Sequence, residues 1–238
     1  MSNDLVIVLG MHRSGTSCLT GLLQQAGLEL GDVVTEAPYN TKGNRENLGI
    51  MELNNEVLSY NNGSWDSPPR QITWNPDLED SRDMILNLYS NQTIWGFKDP
   101  RVIFTLPFWL KGLRGTKLHF IGTIRHPLKV AKSLNARQSS MSIEKGIDLW
   151  KRYNERLLEY RKKYNFHIVD FDLAPAEYLQ STQEAIHKLG VLPKSNNSLN
   201  FFDPQLRHQI NLEPTDIEKY SSILEPVMPI YKKIKDNT

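Results

Sequence analysis

Residues 5–23, LVIVLGMHRSGTSCLTGLL, decide the fold. Leu5 to Leu9 form a short apolar run, β-branched at Val6, Ile7 and Val8 and stopped by Gly10, which reads as a strand buried on both faces. After the loop, Leu19, Leu22, Leu23 and Ala26 recur at helical spacing, and Gly27 stands where a helix C-cap belongs. The unit is strand, loop, helix. Gly10 and Gly15 have the spacing of the phosphate-cradling pattern GxxxxGK(S/T), and Ser17 fills its hydroxyl position. Thr16 stands where that pattern has lysine, and the nearest cation is Arg13. The backbone amides of such a loop still wrap an oxyanion, because that depends on turn geometry and the helix dipole. Only the cation has moved.

Working outward, TIWGFKD (93–99), TKLHFIGTI (116–124) and FHIVDFD (166–172) read as three further strands. Helical patterns cover IMELNNEVLSY (50–60), LEDSRDMILNLYS (78–90), a short piece around Pro107 in 101–113, 128–138, 143–165 and 175–190. Residues 29–49 and 61–77 read as loop. Trp150, Tyr153 and Tyr160 lie at helical spacing and are expected in the core. Strands separated by helices predict an α/β fold of three layers, a central parallel sheet flanked by helices. Ligands of such sheets sit at the carboxyl ends of the strands. There GMHRSGTS, KDPR and RHP are expected to converge on one crevice.

The 238 residues, 39% hydrophobic and 23% charged, suit one folded domain over 1–238. A formal net charge of +1 gives no basic field for nucleic acid, so anion binding must rest on locally placed arginines and lysines. With one cysteine, Cys18, no intrachain disulfide can form, and a reducing, cytoplasmic setting is expected. Leu5–Leu9 is too short to span a membrane, and Asp4 precedes it where a signal peptide carries positive charge. A nucleoside-triphosphate enzyme presents an aspartate at a strand end for Mg²⁺. Here KLHFIGTI ends in Arg125. No metal ligands are therefore expected, and the ligand is read as a phosphate compound handled without Mg²⁺.

Together these segments resemble those of the sulfotransferases that use 3′-phosphoadenosine 5′-phosphosulfate (PAPS). GMHRSGTS (10–17) is similar to their 5′-phosphosulfate loop, IRHPLKVAKSL (124–134) to their 3′-phosphate segment, and GFKDPR (96–101) to a segment of the bacterial and tyrosylprotein branches. The resemblance covers about residues 5–190. It implies a P-loop-like fold, PAPS as donor with 3′,5′-adenosine bisphosphate as product, and metal-independent in-line transfer to a hydroxyl of a small molecule or glycan, a carbohydrate or glycolipid before a steroid. It assigns Arg13, the amides of Ser14, Gly15, Thr16 and Ser17, and nearby His12 to the 5′ end, and Arg125 with Ser133 to the 3′-phosphate. It gives Lys98 the neutralisation of charge on the transferring group. Asp99 either orients Lys98 or pairs with Arg101.

None of the six histidines matches the family's histidine base. NTKGNREN (40–47) is similar to a Gly-x-x-Glu element of bacterial members and makes Glu46 the candidate base. It has Asn44 and Arg45 where the family usually has aromatics, and Glu36 in the same loop is the other candidate. FFDPQLRHQ (201–209) resembles a late segment that offers Arg207 to the nucleotide, whereas the RKGxxG closing element is absent. Within the domain, 28–80 is expected to be an insertion on the acceptor side and 191–238 a helical tail. Two other readings stay open: a nucleotide-dependent kinase with a degenerate loop, and a binding protein for the nucleotide that catalyses nothing. The residues leave the acceptor's identity and the oligomeric state open.

Overall fold

The structure, a computed structural model, describes residues 3–37, 40–190, 192, 200–207 and 211–236. Four parallel strands form one sheet: β1 (Asp4–Leu9), β2 (Ile94–Lys98), β3 (Lys117–Ile124) and β4 (His167–Asp170), in the order β2-β1-β3-β4. The register sets Val8 beside Lys98, Leu9 beside Gly122 and Ile124 beside Asp170. Gly10, Asp99, Arg125 and Phe171 therefore leave the sheet at one edge, as the sequence predicts.

Alternation along β1 splits the core. Leu5, Ile7 and Leu9 point into one apolar cluster, while Val6 and Val8 point into the other. All five are fully buried, each stabilising the fold by about 1.5–3 kcal/mol. Helices α1 (Thr16–Gln25) and α7 (Pro175–Leu189) cover the Val6 face. The opposite face carries α2 (Leu48–Tyr60), α4 (Val102–Gly112), α5 (Pro127–Arg137) and α6 (Ile143–Tyr164), with α3 (Pro76–Asn87) packed on α2 and α4. The result is the three-layer α/β architecture.

Local chemistry fixes the helix ends. Asn47, Asn75 and Ser142 accept backbone N–H bonds from Ile50, Leu78 and Lys145, so α2, α3 and α6 start where an Asx or hydroxyl cap is available. Pro127, at the first turn of α5, stops β3 and starts the helix with φ already set. Along α6, Ile147, Trp150, Tyr153, Leu157 and Tyr160 make the buried stripe, which confirms the three aromatics as core. Trp150 Nε1 also donates to the Arg125 carbonyl at 2.9 Å, tying α6 to the end of β3. The proline of α4, Pro107, lies inside a helix of eleven residues.

Of the expected tail, residues 191, 193–199 and 208–210, including His208, lie outside the described residues. The described part holds a 3₁₀ turn (Pro204–Leu206), α8 (Pro214–Lys219), α9 (Ser221–Leu224) and α10 (Met228–Lys235). Tyr231 and Ile234 of α10 are buried in the α6-side core. Among the described residues, no helix is long and apolar enough to cross a membrane.

Candidate active site

The loop after β1 is shaped by what lies beneath it. Gly15, the residue before α1, has φ +85°, and a Cβ there would meet the Phe171 ring at 2.3 Å. Only glycine fits that turn and that floor. At Gly10 a Cβ would meet the Thr16 and Thr123 methyls at 2.8 and 2.9 Å. Thr123 Oγ1 donates to the Ser14 carbonyl at 2.8 Å, so the loop is pinned to β3. Among the described residues no side chain caps α1, and no acidic residue sits in its first turn. Its N–H groups and the positive end of its dipole are thus offered to an anion.

Two segments far apart in sequence close on this loop. Arg13 Nε donates to Ser133 Oγ at 2.9 Å, and Arg125 Nη1 donates to the Arg13 carbonyl at 3.2 Å. Arg13, Gly15, Thr16, Ser17, Arg125 and Ser133 line a common cavity of about 650 Å³. Ser14 is buried beneath the loop. In this structure the Arg13 guanidinium leans toward Ser133, on the side expected to take the 3′-phosphate. Burial, with Arg137 and Arg125 close by, pulls the Arg13 guanidinium below its ordinary value. Burial does the same to Arg125, with Arg207 adding to it and Asp172 opposing. Cations gathered against their mutual repulsion lower one another's pKa, and a bound anion relieves that cost.

Behind Ser17 lies a buried ion pair. Lys98 Nζ is 2.6 Å from Glu46 Oε1 and 3.4 Å from Ser17 Oγ. The Lys98 side chain is 1% exposed and that of Glu46 11%. The lysine at the end of an apolar strand therefore has a carboxylate partner from the loop before α2. Glu36, by contrast, is exposed. Asp99 settles on the second of its two options, gripping Arg101 Nη1 with both oxygens at 2.9 and 3.1 Å and accepting the Arg101 backbone N–H. Burial nonetheless pushes the Asp99 carboxyl up to about 6, against the pull of Arg101.

His12 turns away from the cavity wall. Its ring packs on Trp65 at 4.8 Å and Tyr153 at 5.9 Å, and its buried Nε2 has no hydrogen-bond partner among the described residues. Burial first, then the charges of Arg101, Lys98, Arg137 and Arg13, hold its pKa well below 6.5. His119 sits in β3 beside Asp4, and His126 caps α5.

The sequence reading missed several wall residues. Lys42 and Arg137 add cations, and Phe171, Phe201 and Phe202 add aromatic surface. Lys42 Nζ donates to the Phe201 carbonyl at 2.6 Å, and Arg45 lies 5.0 Å over the Phe201 ring. The loop carrying Glu46 thus clasps the segment near residue 201. Arg207, singled out in the sequence, is on the wall too; it lies 4.8 Å over the Phe171 ring and donates to the Leu173 carbonyl. The FF pair at 201–202 beside Arg207 was the available signal. Cys18 also reaches the wall, and burial pushes its thiol up to about 11, away from reactivity. Among the described residues, no group of three or more His, Cys, Asp or Glu side chains is placed to hold a metal ion.

No protein-family profile matches the chain, and no curated protein matches it. Solved structures do. The sulfotransferase domain of the olefin synthase of Synechococcus PCC 7002 superposes with a TM-score of 0.50 at 16% identity, over 96% of each chain. The sulfotransferase domain of the curacin biosynthetic pathway gives 0.47 at 15% identity, over 89% of this chain and 79% of that one. The first likeness extends along nearly the whole chain, and what it shows is that this protein has the fold of a sulfotransferase domain.

Proposed function

We propose that the protein is a PAPS-dependent sulfotransferase acting on a hydroxyl of a carbohydrate or glycolipid. The observation that carries this reading is the 2.9 Å bond between Arg13 and Ser133, which joins two anion-binding segments separated by 120 positions in one cation-walled cavity. A ligand with two well-separated anionic groups on one nucleoside asks for that arrangement, and ATP, with one polyphosphate tail, does not. The fit is supported by five cationic side chains on the wall, Arg13, Lys42, Arg125, Arg137 and Arg207, against the single carboxylate of Asp203 among the described residues. The cavity volume also falls within the roughly 300–1,000 Å³ of small-molecule sites.

In this reading the α1 amides, Thr16, Ser17 and Arg13 hold the 5′ end of the donor, and Arg125 and Ser133 hold its 3′-phosphate. When bound, the donor supplies the sulfuryl group, whose loose in-line transfer spreads negative charge over its oxygens as phosphoryl transfer does. Preorganised amides and guanidiniums stabilise that charge, each donor being worth about 10²–10³ in rate. Glu46 accepts the acceptor hydroxyl's proton. Once protonated, Glu46 releases its hold on Lys98, whose ammonium is then free to turn to the oxygen that becomes negative. One event thus supplies both the base and the cation. Glu36, exposed on the loop, has no cationic partner among the described residues. The solitary cysteine fits a reducing, cytoplasmic setting.

The test is ligand binding followed by turnover. 3′,5′-Adenosine bisphosphate at about 100 times its Kd should stabilise the protein by about 2.7 kcal/mol, and 5′-AMP and ATP should stabilise it far less. Labelled sulfuryl should pass from PAPS to glycan hydroxyls, and Glu46→Gln should keep donor binding while losing about 10²–10⁴ in rate. Mg²⁺-dependent use of ATP with no response to PAPS would overturn the reading in favour of a kinase. Tight bisphosphate binding with no turnover on any hydroxyl would leave a binding protein.

A further inference from the structure

Asp172 is an acidic residue in a place that gathers anions, and the donor reading gives it no role. It stands off the cavity wall, behind Arg125. Its Oδ1 is 3.0 Å from Lys129 Nζ and 3.6 Å from Arg125 Nε. Its Oδ2 accepts the His126 backbone N–H at 2.6 Å. The carboxylate thus holds the whole turn Arg125–His126 at the end of β3, including the first turn of α5 that leads to Ser133.

Asp172 is itself held. Its backbone N–H donates to Asp170 Oδ1 at 2.9 Å, and Asp170 is buried, with a side chain 2% exposed. That charge is met from α10. Lys235 Nζ lies 2.8 Å from Asp170 Oδ2, a charge contact rather than a directed hydrogen bond. Tyr231, one helical turn before Lys235 on α10, packs its ring on His126 at 5.4 Å and on Trp150 at 6.2 Å, so α10 also braces the turn that Asp172 holds. Between Asp170 and Asp172, Phe171 donates its N–H to the Ile124 carbonyl and puts its ring beneath Gly15. A continuous polar relay therefore runs from α10 through Asp170 and Asp172 to Arg125, and from Arg125 to the Arg13 carbonyl.

We propose that Asp172 is a positioning residue of the donor site, fixing Arg125 for the 3′-phosphate and fixed in turn by Asp170, Tyr231 and Lys235. The proposal rests on the donor reading given above. Counted as a bare charge, Asp172 opposes an incoming phosphate. Its presence is explained if an arginine already aimed binds better than one that must be ordered on binding, since ordering a long side chain costs affinity. The two effects have opposite signs, and that makes the role testable.

Isothermal titration with 3′,5′-adenosine bisphosphate and with 5′-AMP, on wild type and Asp172→Asn, separates them. Asparagine keeps the size and an oxygen for the His126 N–H but loses the charge that aims Arg125. Positioning predicts that bisphosphate affinity falls about three- to thirtyfold, that 5′-AMP affinity is unchanged, and that turnover at saturating donor is kept while the donor KM rises. Tyr231→Leu, which changes no charge and removes the ring packed on His126, should move the same ratio in the same direction and carries the test if Asp172→Asn does not fold. Equal or tighter bisphosphate binding in Asp172→Asn, or an equal loss for both ligands, would overturn the proposal while leaving the donor reading intact. A wild type that does not prefer the 3′-phosphorylated ligand would overturn both.

Discussion

Replacing Lys98 by methionine should destabilise the protein through the partner it leaves behind. Lys98 Nζ and Glu46 Oε1 are 2.6 Å apart, and their side chains are 1% and 11% exposed. Removing one member of such a pair strands a buried charge, at a cost of about 3–5 kcal/mol. Glu46 keeps some access to water, so Lys98→Met belongs near the lower figure, about 3 kcal/mol. For a chain of this size that is a drop in Tm of about 6–12 °C. Glu46→Leu should cost a similar amount, because it leaves the ammonium of Lys98, with still less water around it, without its carboxylate. The double variant Lys98→Met, Glu46→Leu removes both charges from the apolar end of β2 and should return to within about 1 kcal/mol of wild type. Urea denaturation followed by tryptophan fluorescence gives all four free energies of the cycle. Additive losses in the double variant would refute the reasoning, since they would mean the two charges do not depend on each other.

Gly15→Ala should lose about 2–4 kcal/mol, from the left-handed backbone and from the ring that its Cβ would strike; thermal melts and donor titration read both effects, and a wild-type melt would mean the loop can shift off Phe171. Ser133→Ala removes the acceptor of the Arg13 bond and should weaken 3′,5′-adenosine bisphosphate by about five- to tenfold, the worth of about 1 kcal/mol; unchanged affinity would separate that contact from binding. His12 should make the fold acid-sensitive. Its folded pKa is lowered, chiefly by burial, so below about 6.5 the unfolded chain takes up a proton that the native state refuses. Stability should therefore be full above pH 6.5 and fall below it by up to about 1.4 kcal/mol per pH unit from this residue. Denaturant midpoints between pH 7 and 5 should show a shallower slope in His12→Gln, and parallel slopes would count against the assignment.

The sheet and its edge were legible because each rests on a local pattern. The valine-rich run before Gly10, the charged ends of the next two strands and Pro127 after Arg125 name their own positions. What stayed hidden depends on side chains meeting across the chain. Lys98 and Glu46 could each be picked out, yet nothing in either segment says that one neutralises the other. The ring under Gly15 comes from Phe171, whose place is set by the β3–β4 register rather than by any motif. Asp172 was within reach, since FHIVDFD ends in charge as the other strands do. It was passed over because anion sites are searched for cations. Lys42 and the phenylalanines near residue 201 lie in loops, where no periodicity tells a wall residue from a solvated one, and Arg137 ends α5, where a basic last turn reads as ordinary helix chemistry.

The place of β1 in the centre of the sheet also governs how the chain acquires its shape. Its ladder partners begin only at Ile94 and Lys117, so during synthesis at about 5–20 residues per second the apolar strand goes unpaired for several seconds. A naked segment with that sequence is prone to self-association. A ligand of the proposed donor site would not shelter it, because the loop that emerges with β1 lacks Arg125 and Ser133 until β3 and α5 exist. On the donor reading proposed above, the ligand would stabilise the finished protein and not the growing one, and α1, which follows β1 directly, is the first element able to cover it.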